Sequence, residues 1–398
     1  MNKIINEAYE ESIKLLHRLA TDDGFTASTG KVQNYKRVWS RDGVVIGLAS
    51  LLDGDETLIN HFKSTLDTLK KFQDETGRIV SNVSLNEETH ISYGTTVGRV
   101  DATIWYIIGV TQFALNTKDK KFFEKHKKAV DKAIFYLSCL ELNDKGLIYI
   151  PQGGDWADEY VNHGYVLFDQ VLHYLALDGY HKITKDEKVQ EKKERLKNII
   201  KINYLPKKEN IDSPFVYNKL LFEKSLSTCK LSLPIPYFTS YSTSCSVANF
   251  ANSLLVLSGI LEEDEGEKIK EYTKSAFLDK EFAMLPAFYP VIKKKDEDWD
   301  ELEDNFLFSF KNNPYEYQNG GLWPWVNGFF LSSLGKKDKD GIKYLEAFAE
   351  ILKKDGYVFP EYYHGKNHKP MGVMNIGNAA SAYIIAYNSI IKNKKVFL

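Results

Sequence analysis

Cysteine, net charge and long apolar runs are all scarce in this chain, and each scarcity excludes something. Three cysteines, Cys139, Cys229 and Cys245, show no spacing that would hold a metal or frame a set of disulfides. A sparse, odd count fits a reducing compartment. A formal net charge of -2 over 398 residues gives no electrostatic reason to expect nucleic acid or an anionic membrane as partner. The lysine runs at 293–295 and 392–395 read as solvated surface. No apolar run approaches the ~20 residues of a membrane span. The first twenty residues carry Glu7, Glu10 and Glu11 in a helical pattern, which is neither a secretory nor a transit peptide. A soluble, cytoplasmic protein is expected. Also missing are a Gly-x-Ser-x-Gly elbow, a phosphate-cradling glycine loop followed by lysine, and His-Glu-x-x-His. His163, His173 and His181 lie on or near one helix, but at a spacing that makes no ligand set.

Helical periodicity, by contrast, runs through nearly the whole chain. It predicts twelve helices, at 2–20, 41–53, 56–74, 99–117, 120–140, 163–183, 187–203, 245–259, 266–274, 322–335, 338–354 and 375–391. Short polar turns follow the even-numbered members. Long loops rich in Gly, Pro and aromatics precede them, at 32–40, 78–98, 149–162, 233–244, 312–321 and 356–375. Short turns join antiparallel neighbours, so the even helices share one direction and their N-termini gather at one end. The expected architecture is all-α, an (α/α)6 toroid of six inner and six outer helices, with the active site at the N-terminal end of the inner ones. An open helical solenoid would need a self-similar repeat, and none is visible. No linker interrupts the pattern, so one domain over 1–398 is expected. Residues 146–150 could form one arm of a short hairpin. The charged stretch 293–304 reads as a surface insertion.

Part of the 13% aromatic content must be core, but aromatic clusters also fall in the Gly/Pro-rich loops, where packing alone explains them poorly. The first loop ends in Trp39-Ser40-Arg41-Asp42-Gly43, with Tyr35 nearby. An Arg–Asp pair at a helix start can fork hydrogen bonds to vicinal sugar hydroxyls while a ring stacks on the sugar face. The plain alternative is a helix cap. Asp101 opens the next even helix ahead of Ile104-Trp105-Tyr106, and capping competes there too. The third loop, Gly154-Asp155-Trp156-Ala157-Asp158-Glu159-Tyr160, mixes acids with rings, a composition suited to a pyranose. It lacks EF-hand spacing, and no metal is expected. In the fifth loop, Tyr317-Gln318-Asn319-Gly320-Gly321-Leu322-Trp323-Pro324-Trp325, Gln318 and Asn319 offer donors and acceptors together and Trp323 another ring. Glu361 follows in the last loop, held between Pro360 and the pair Tyr362-Tyr363. Two carboxyl groups roughly 260 residues apart, Asp101 and Glu361, are what glycoside cleavage asks for: an acid for the leaving oxygen and a base for water.

In order along the chain, Val38-Trp39-Ser40-Arg41-Asp42, Val100-Asp101-Ala102-Thr103-Ile104-Trp105, Tyr317-Gln318-Asn319-Gly320-Gly321-Leu322-Trp323-Pro324 and Phe359-Pro360-Glu361-Tyr362-Tyr363 resemble the neutral/alkaline invertases. They are also similar to the amylo-α-1,6-glucosidase domain of glycogen debranching enzymes. The resemblance implies an (α/α)6 catalytic domain, hydrolysis of an α-glucosidic bond with inversion, Asp101 as general acid and Glu361 as general base. It implies no cofactor and a small carbohydrate as substrate, with neither nucleic acid nor membrane as partner. The third loop departs from the invertase pattern, which leaves the leaving group open. Sucrose is the leading substrate. An exo-α-glucosidase on isomalto- or malto-oligosaccharides or small glucosides is the rival. A sugar isomerase or epimerase, using His163 or His364 as base, is the rival from another class.

Overall fold

A computed structural model describes residues 3–30, 32–85, 89–229, 233–278 and 282–398. Among them are fourteen α-helices: α1 (Lys3–Leu19), α2 (Ser40–Asp53), α3 (Glu56–Lys71), α4 (Val100–Thr117), α5 (Lys120–Cys139), α6 (Leu167–Thr184), α7 (Glu187–Tyr204), α8 (Lys219–Thr228), α9 (Asn249–Leu257), α10 (Glu263–Phe277), α11 (Trp299–Asp304), α12 (Pro324–Leu334), α13 (Gly341–Lys354) and α14 (Gly377–Ile390). Twelve of them are the expected ones. The short α8 and α11 are additions inside long loops, and α11 falls in the stretch read as a surface insertion.

Helices α2, α4, α6, α9, α12 and α14 pack in that order, and α14 returns to α2, so the ring closes. Each has a second helix against its outer side: α3 on α2, α5 on α4, α7 on α6, α10 on α9, α13 on α12 and α1 on α14. This is the (α/α)6 toroid. Composition explains which helix goes where. Every residue of α4 from Val100 to Ala114 is buried, as an inner helix flanked on all sides requires. Its outer partner α5 buries only one stripe, including Phe122, Phe123, Val130 and Leu137.

The helix starts differ in the same way. Outer helices α3, α5 and α7 are capped by aspartates: Asp55 accepts from the Leu58 amide, Asp119 from Phe122, and Asp186 from Lys188 and Val189. None of the six inner helices has a side-chain cap. Their N-cap residues are extended, and pairing between loops holds several of them. Val38–Trp39 pairs with Asn82–Val83, Tyr165–Val166 with Tyr237–Phe238, and Val247–Ala248 with Phe288–Tyr289. Leu322 bridges Tyr363, and the Val100 amide donates to the Gly154 carbonyl at 2.6 Å. A stitched collar therefore surrounds one rim. Pairing also explains why α6 and α9 start about four residues later than periodicity suggested: the preceding residues are drawn into strands. The anticipated hairpin arm at 146–150 reduces to one bridge, Ile150 with Gly164.

One expectation fails. Cys229, just past α8, is disulfide-bonded to Cys245, in the loop before α9. Sixteen residues separate them in sequence, but docking of α8 beside that loop brings their Cα atoms to 5.0 Å. The cysteine count therefore no longer argues for a reducing compartment. Cys139 is free and exposed. No described helix is long and apolar enough to cross a membrane.

Candidate active site

The collar surrounds a small pocket of about 60 Å³ that is partly open to solvent. Loops from opposite sides of the ring build it. At α2, the chain turns from strand to helix at Ser40, whose hydroxyl donates to the Ala102 carbonyl at 2.7 Å and so ties the start of α2 to α4. This places Arg41 and Asp42 in the first turn, both lining the pocket. Asp42 Oδ1 accepts from Asn378 Nδ2 at 2.9 Å. Burial raises the Asp42 carboxyl above its ordinary value, against the pull of Arg41. Trp39 and Tyr35 form the adjacent wall, with ring centres 6.2 Å apart. The Trp39 indole N–H donates to the Asn34 carbonyl at 2.7 Å.

Glu361 faces this wall. Its Oε1 accepts from the Tyr35 hydroxyl at 2.8 Å, and its Oε2 accepts from the Val373 amide at 3.1 Å. Burial raises the Glu361 carboxyl above its ordinary value, and the two hydrogen bonds oppose that rise. Gly372 closes over the same carboxylate with φ +73°, and a Cβ there would come 2.3 Å from Oε2. A glycine is needed at that position both for the backbone angle and for the space.

The third loop supplies the other reactive candidate. Asp158 lines the pocket with its side chain 21% exposed, and its Oδ2 accepts from Arg99 Nη2 at 2.7 Å. Trp156 is buried beneath, stacked on Phe288 and edge-on to Trp323 and Trp325. Trp323 in turn stacks on Tyr362 at 5.6 Å. These rings give the pocket a rigid aromatic floor.

Several sequence-based assignments change. Asp101 is fully buried and does not line the pocket. Its Oδ2 accepts from Arg41 Nη1 at 2.7 Å, and it is Arg41 that faces the cavity. Placed behind Arg41, the Asp101 carboxyl stands off the cavity wall, so of the two acids it is Asp158 that lines the pocket. Asp155 is also buried; its oxygens accept from the Ala157 amide at 2.9 Å and the Asn162 amide group at 2.8 Å, which folds the loop. Gln318 and Asn319 are buried as well, with their amides bound to neighbouring groups. Gln318 Nε2 donates to the Trp156 carbonyl and to Asp158 Oδ1, at 3.2 and 3.3 Å. Asn319 pairs with both the amide and carbonyl of Ile292. Composition suggested sugar contacts for these three. Their polar atoms instead bind backbone and side-chain groups within the tight collar. Tyr35, Trp39, Arg41, Asp42, Trp156, Asp158, Trp323 and Glu361 do line one cavity.

Tyr317, Trp325 and Asn378 line it too and were not singled out. The first two lie within the quoted fifth-loop motif. Asn378, in the first turn of α14, has no local signal. Trp325 Nε1 and Asn378 Oδ1 are buried without a protein partner, polar groups left for a ligand or water. Asp169 in the first turn of α6 was missed as well. Its carboxyl is fully buried, and burial, then Asp155 and Asp101, drive it well above its ordinary value. Burial likewise raises Asp155, with Asp101 adding to it. Burial acts to lower the Arg41 guanidinium, but Asp101 and then Asp42 hold it above its ordinary value, so it stays the cation among these acids.

The fold is an (α/α)6 toroid, and it is shared with solved glycosidases. A bacterial glucoamylase solved with acarbose superposes over all of this chain and 57% of its own, with TM-score 0.68 and 15% identity. A glycosidase solved in complex with glucose covers 98% of this chain and 99% of its own, with TM-score 0.65 and 12% identity. A rhamnosidase from Klebsiella oxytoca with rhamnose bound covers 96% and 63%, with TM-score 0.63 and 9% identity. In sequence, an uncharacterised glycosyl hydrolase of Methanocaldococcus jannaschii is 26% identical over 142 residues, 36% of this chain. The chain thus spans about a fifth of that relative, 22% of its length. No protein-family model matches the chain.

Proposed function

We propose that the protein hydrolyses an α-glucosidic bond with inversion, with Asp158 as general acid and Glu361 as general base. The observation that carries this reading is that both carboxyl groups line one aromatic-walled pocket beside Arg41 and Asp42. Arg41 and Asp42 would bind vicinal hydroxyls of the glucosyl ring, and Trp39 and Trp323 would pack against its faces. Asp158 would donate its proton to the glycosidic oxygen as that bond breaks. Glu361 would take a proton from the water that attacks the anomeric carbon from the opposite face. The Tyr35 hydroxyl favours the charged form of Glu361 and orients it. The likeness to a glucoamylase, a glucose-binding glycosidase and a glycosyl hydrolase relative supports the same reading.

Sucrose stands first among substrates on the motif resemblance, and isomalto- or malto-oligosaccharides second. An isomerase would need a ring-facing histidine, and no histidine lines the pocket among the described residues. The test is hydrolysis of a panel of α-linked di- and oligosaccharides, followed by NMR of the first-formed anomer. Release of β-glucose supports inversion. Release of α-glucose would replace the scheme with a retaining one, and mass-neutral conversion of a free sugar would replace hydrolysis altogether.

A further inference from the structure

Asp158 borders two spaces. Besides the pocket, it borders an open cleft of about 390 Å³ lined by Thr95, Thr96, Arg99, Gln152, Asn305 and Phe306. The stretch carrying α11, charged and without an evident purpose in the sequence, forms one wall of it. That stretch is fastened to the loop bearing Asp158. Gln152 Nε2 donates to Glu301 Oε1 at 3.2 Å, Asn305 Nδ2 donates to the Tyr160 carbonyl at 2.8 Å, and Lys311 pairs with Glu159 at 2.8 Å. Trp299 is buried beneath, edge-on to Phe310. On this anchored base Phe306 stands 46% exposed, touching Phe310 only at the ring edge. A lone exposed phenylalanine carries no meaning. This one lies in a cleft continuous with the carboxyl group proposed to protonate the leaving oxygen.

Charge narrows the occupant. Arg99 is the one cation among the described residues lining the cleft, and it is committed to Asp158 and the Gly153 carbonyl. Asp158, Glu159 and Asp304 line the same space. A phosphate or carboxylate on the leaving group would meet acids and no free cation.

We infer that residues 299–310 form the leaving-group platform of the site, and that Phe306 selects a neutral oligosaccharide leaving group longer than one sugar. The inference rests on the glycosidase reading above and reverses its substrate order, placing oligosaccharides ahead of sucrose. The test measures kcat and KM for wild type, Phe306→Ala and Phe306→Tyr. The substrates are maltose with maltotetraose, isomaltose with isomaltotetraose, sucrose and α-glucose 1-phosphate. In wild type, the better tetrasaccharide should exceed its disaccharide roughly tenfold in kcat/KM, the scale of one aromatic stacking contact. Phe306→Ala should remove that advantage through KM and leave disaccharide kcat unchanged, and Phe306→Tyr should restore it. Sucrose or α-glucose 1-phosphate turning over as well as the tetrasaccharides would overturn the inference while leaving glycoside hydrolysis intact. So would an equal loss on every substrate in Phe306→Ala, the mark of a purely structural residue. If no α-glucoside is cleaved at all, the glycosidase reading fails and takes this inference with it.

Discussion

Two arginine–aspartate pairs stand at the rim of the toroid, and they are opposites. In Arg41–Asp101 the carboxylate is wholly buried and the arginine, 16% exposed, faces the pocket. In Arg99–Asp158 the arginine is the buried member, 6% exposed, and the carboxylate faces the pocket at 21%. Both pairs close at 2.7 Å. Contact chemistry alone cannot tell them apart, yet only one presents its carboxyl group to the pocket. Buried ion pairs contribute little net stability, because desolvation offsets attraction. Their value here is orientation: Asp101 holds a cation at the pocket, and Arg99 holds there the carboxyl group proposed as the acid.

The largest effect should come from the group facing both pairs across the pocket. Glu361→Gln should lower kcat by about 10⁴-fold on poor and activated donors alike, because an amide cannot accept the proton of water. Circular dichroism and sugar binding should stay normal. Retained turnover would dissolve the pocket assignment as a whole.

Next comes the direct contrast. Asp158→Asn should cost ~10²–10⁴-fold on natural glucosides, while a glucosyl fluoride, which needs little protonation, should be largely spared. Asp101→Asn should instead cost about 3 kcal/mol in urea unfolding by leaving Arg41 uncompensated, with no selectivity between the two donors. If the donor selectivity appears in Asp101→Asn and not in Asp158→Asn, the two pairs have been assigned the wrong way round.

A smaller loss should follow Gly372→Ala. The added methyl would press on Glu361 Oε2 at a position with φ +73°, displacing the base without removing it. A displacement of this kind lowers kcat by about 10–10²-fold. Wild-type kinetics in this variant would mean the loop yields and the base is not held tightly.

The mildest change tests the electrostatics. The Tyr35 hydroxyl stabilises ionised Glu361 and so opposes the rise that burial causes. Removing it in Tyr35→Phe leaves burial less opposed, so the carboxyl stays protonated to higher pH. A base works only when ionised, so the acid limb of kcat/KM should move to higher pH, with the plateau little changed. An acid limb that stays in place, or moves down, would separate Tyr35 from the base.

The twelve ring helices, their alternation and the rim of long loops were all legible in the sequence, because periodicity and loop length are local quantities. Inner helices such as α4 read as nearly continuous apolar runs, and outer ones such as α5 as single stripes. Glu361, Arg41, Asp42 and the tryptophans, singled out in ring-rich loops, do line the pocket, whereas Asp155 from the same kind of setting does not. What composition could not supply was direction. Asp101 and Asp158, or Gln318 and Asn378, differ in whether a side chain ends in the cavity or behind it. That depends on how loops distant in sequence pair into the collar, which also drew residues 165–166 and 247–248 out of their helices. The bond between Cys229 and Cys245 is of the same kind, created when α8 docks beside a loop. The sequence by itself determined a closed double ring of helices with a polar, aromatic rim. Only the tertiary structure decided which acid faces the pocket, because burial and partner choice are set by packing between segments that do not adjoin in the chain.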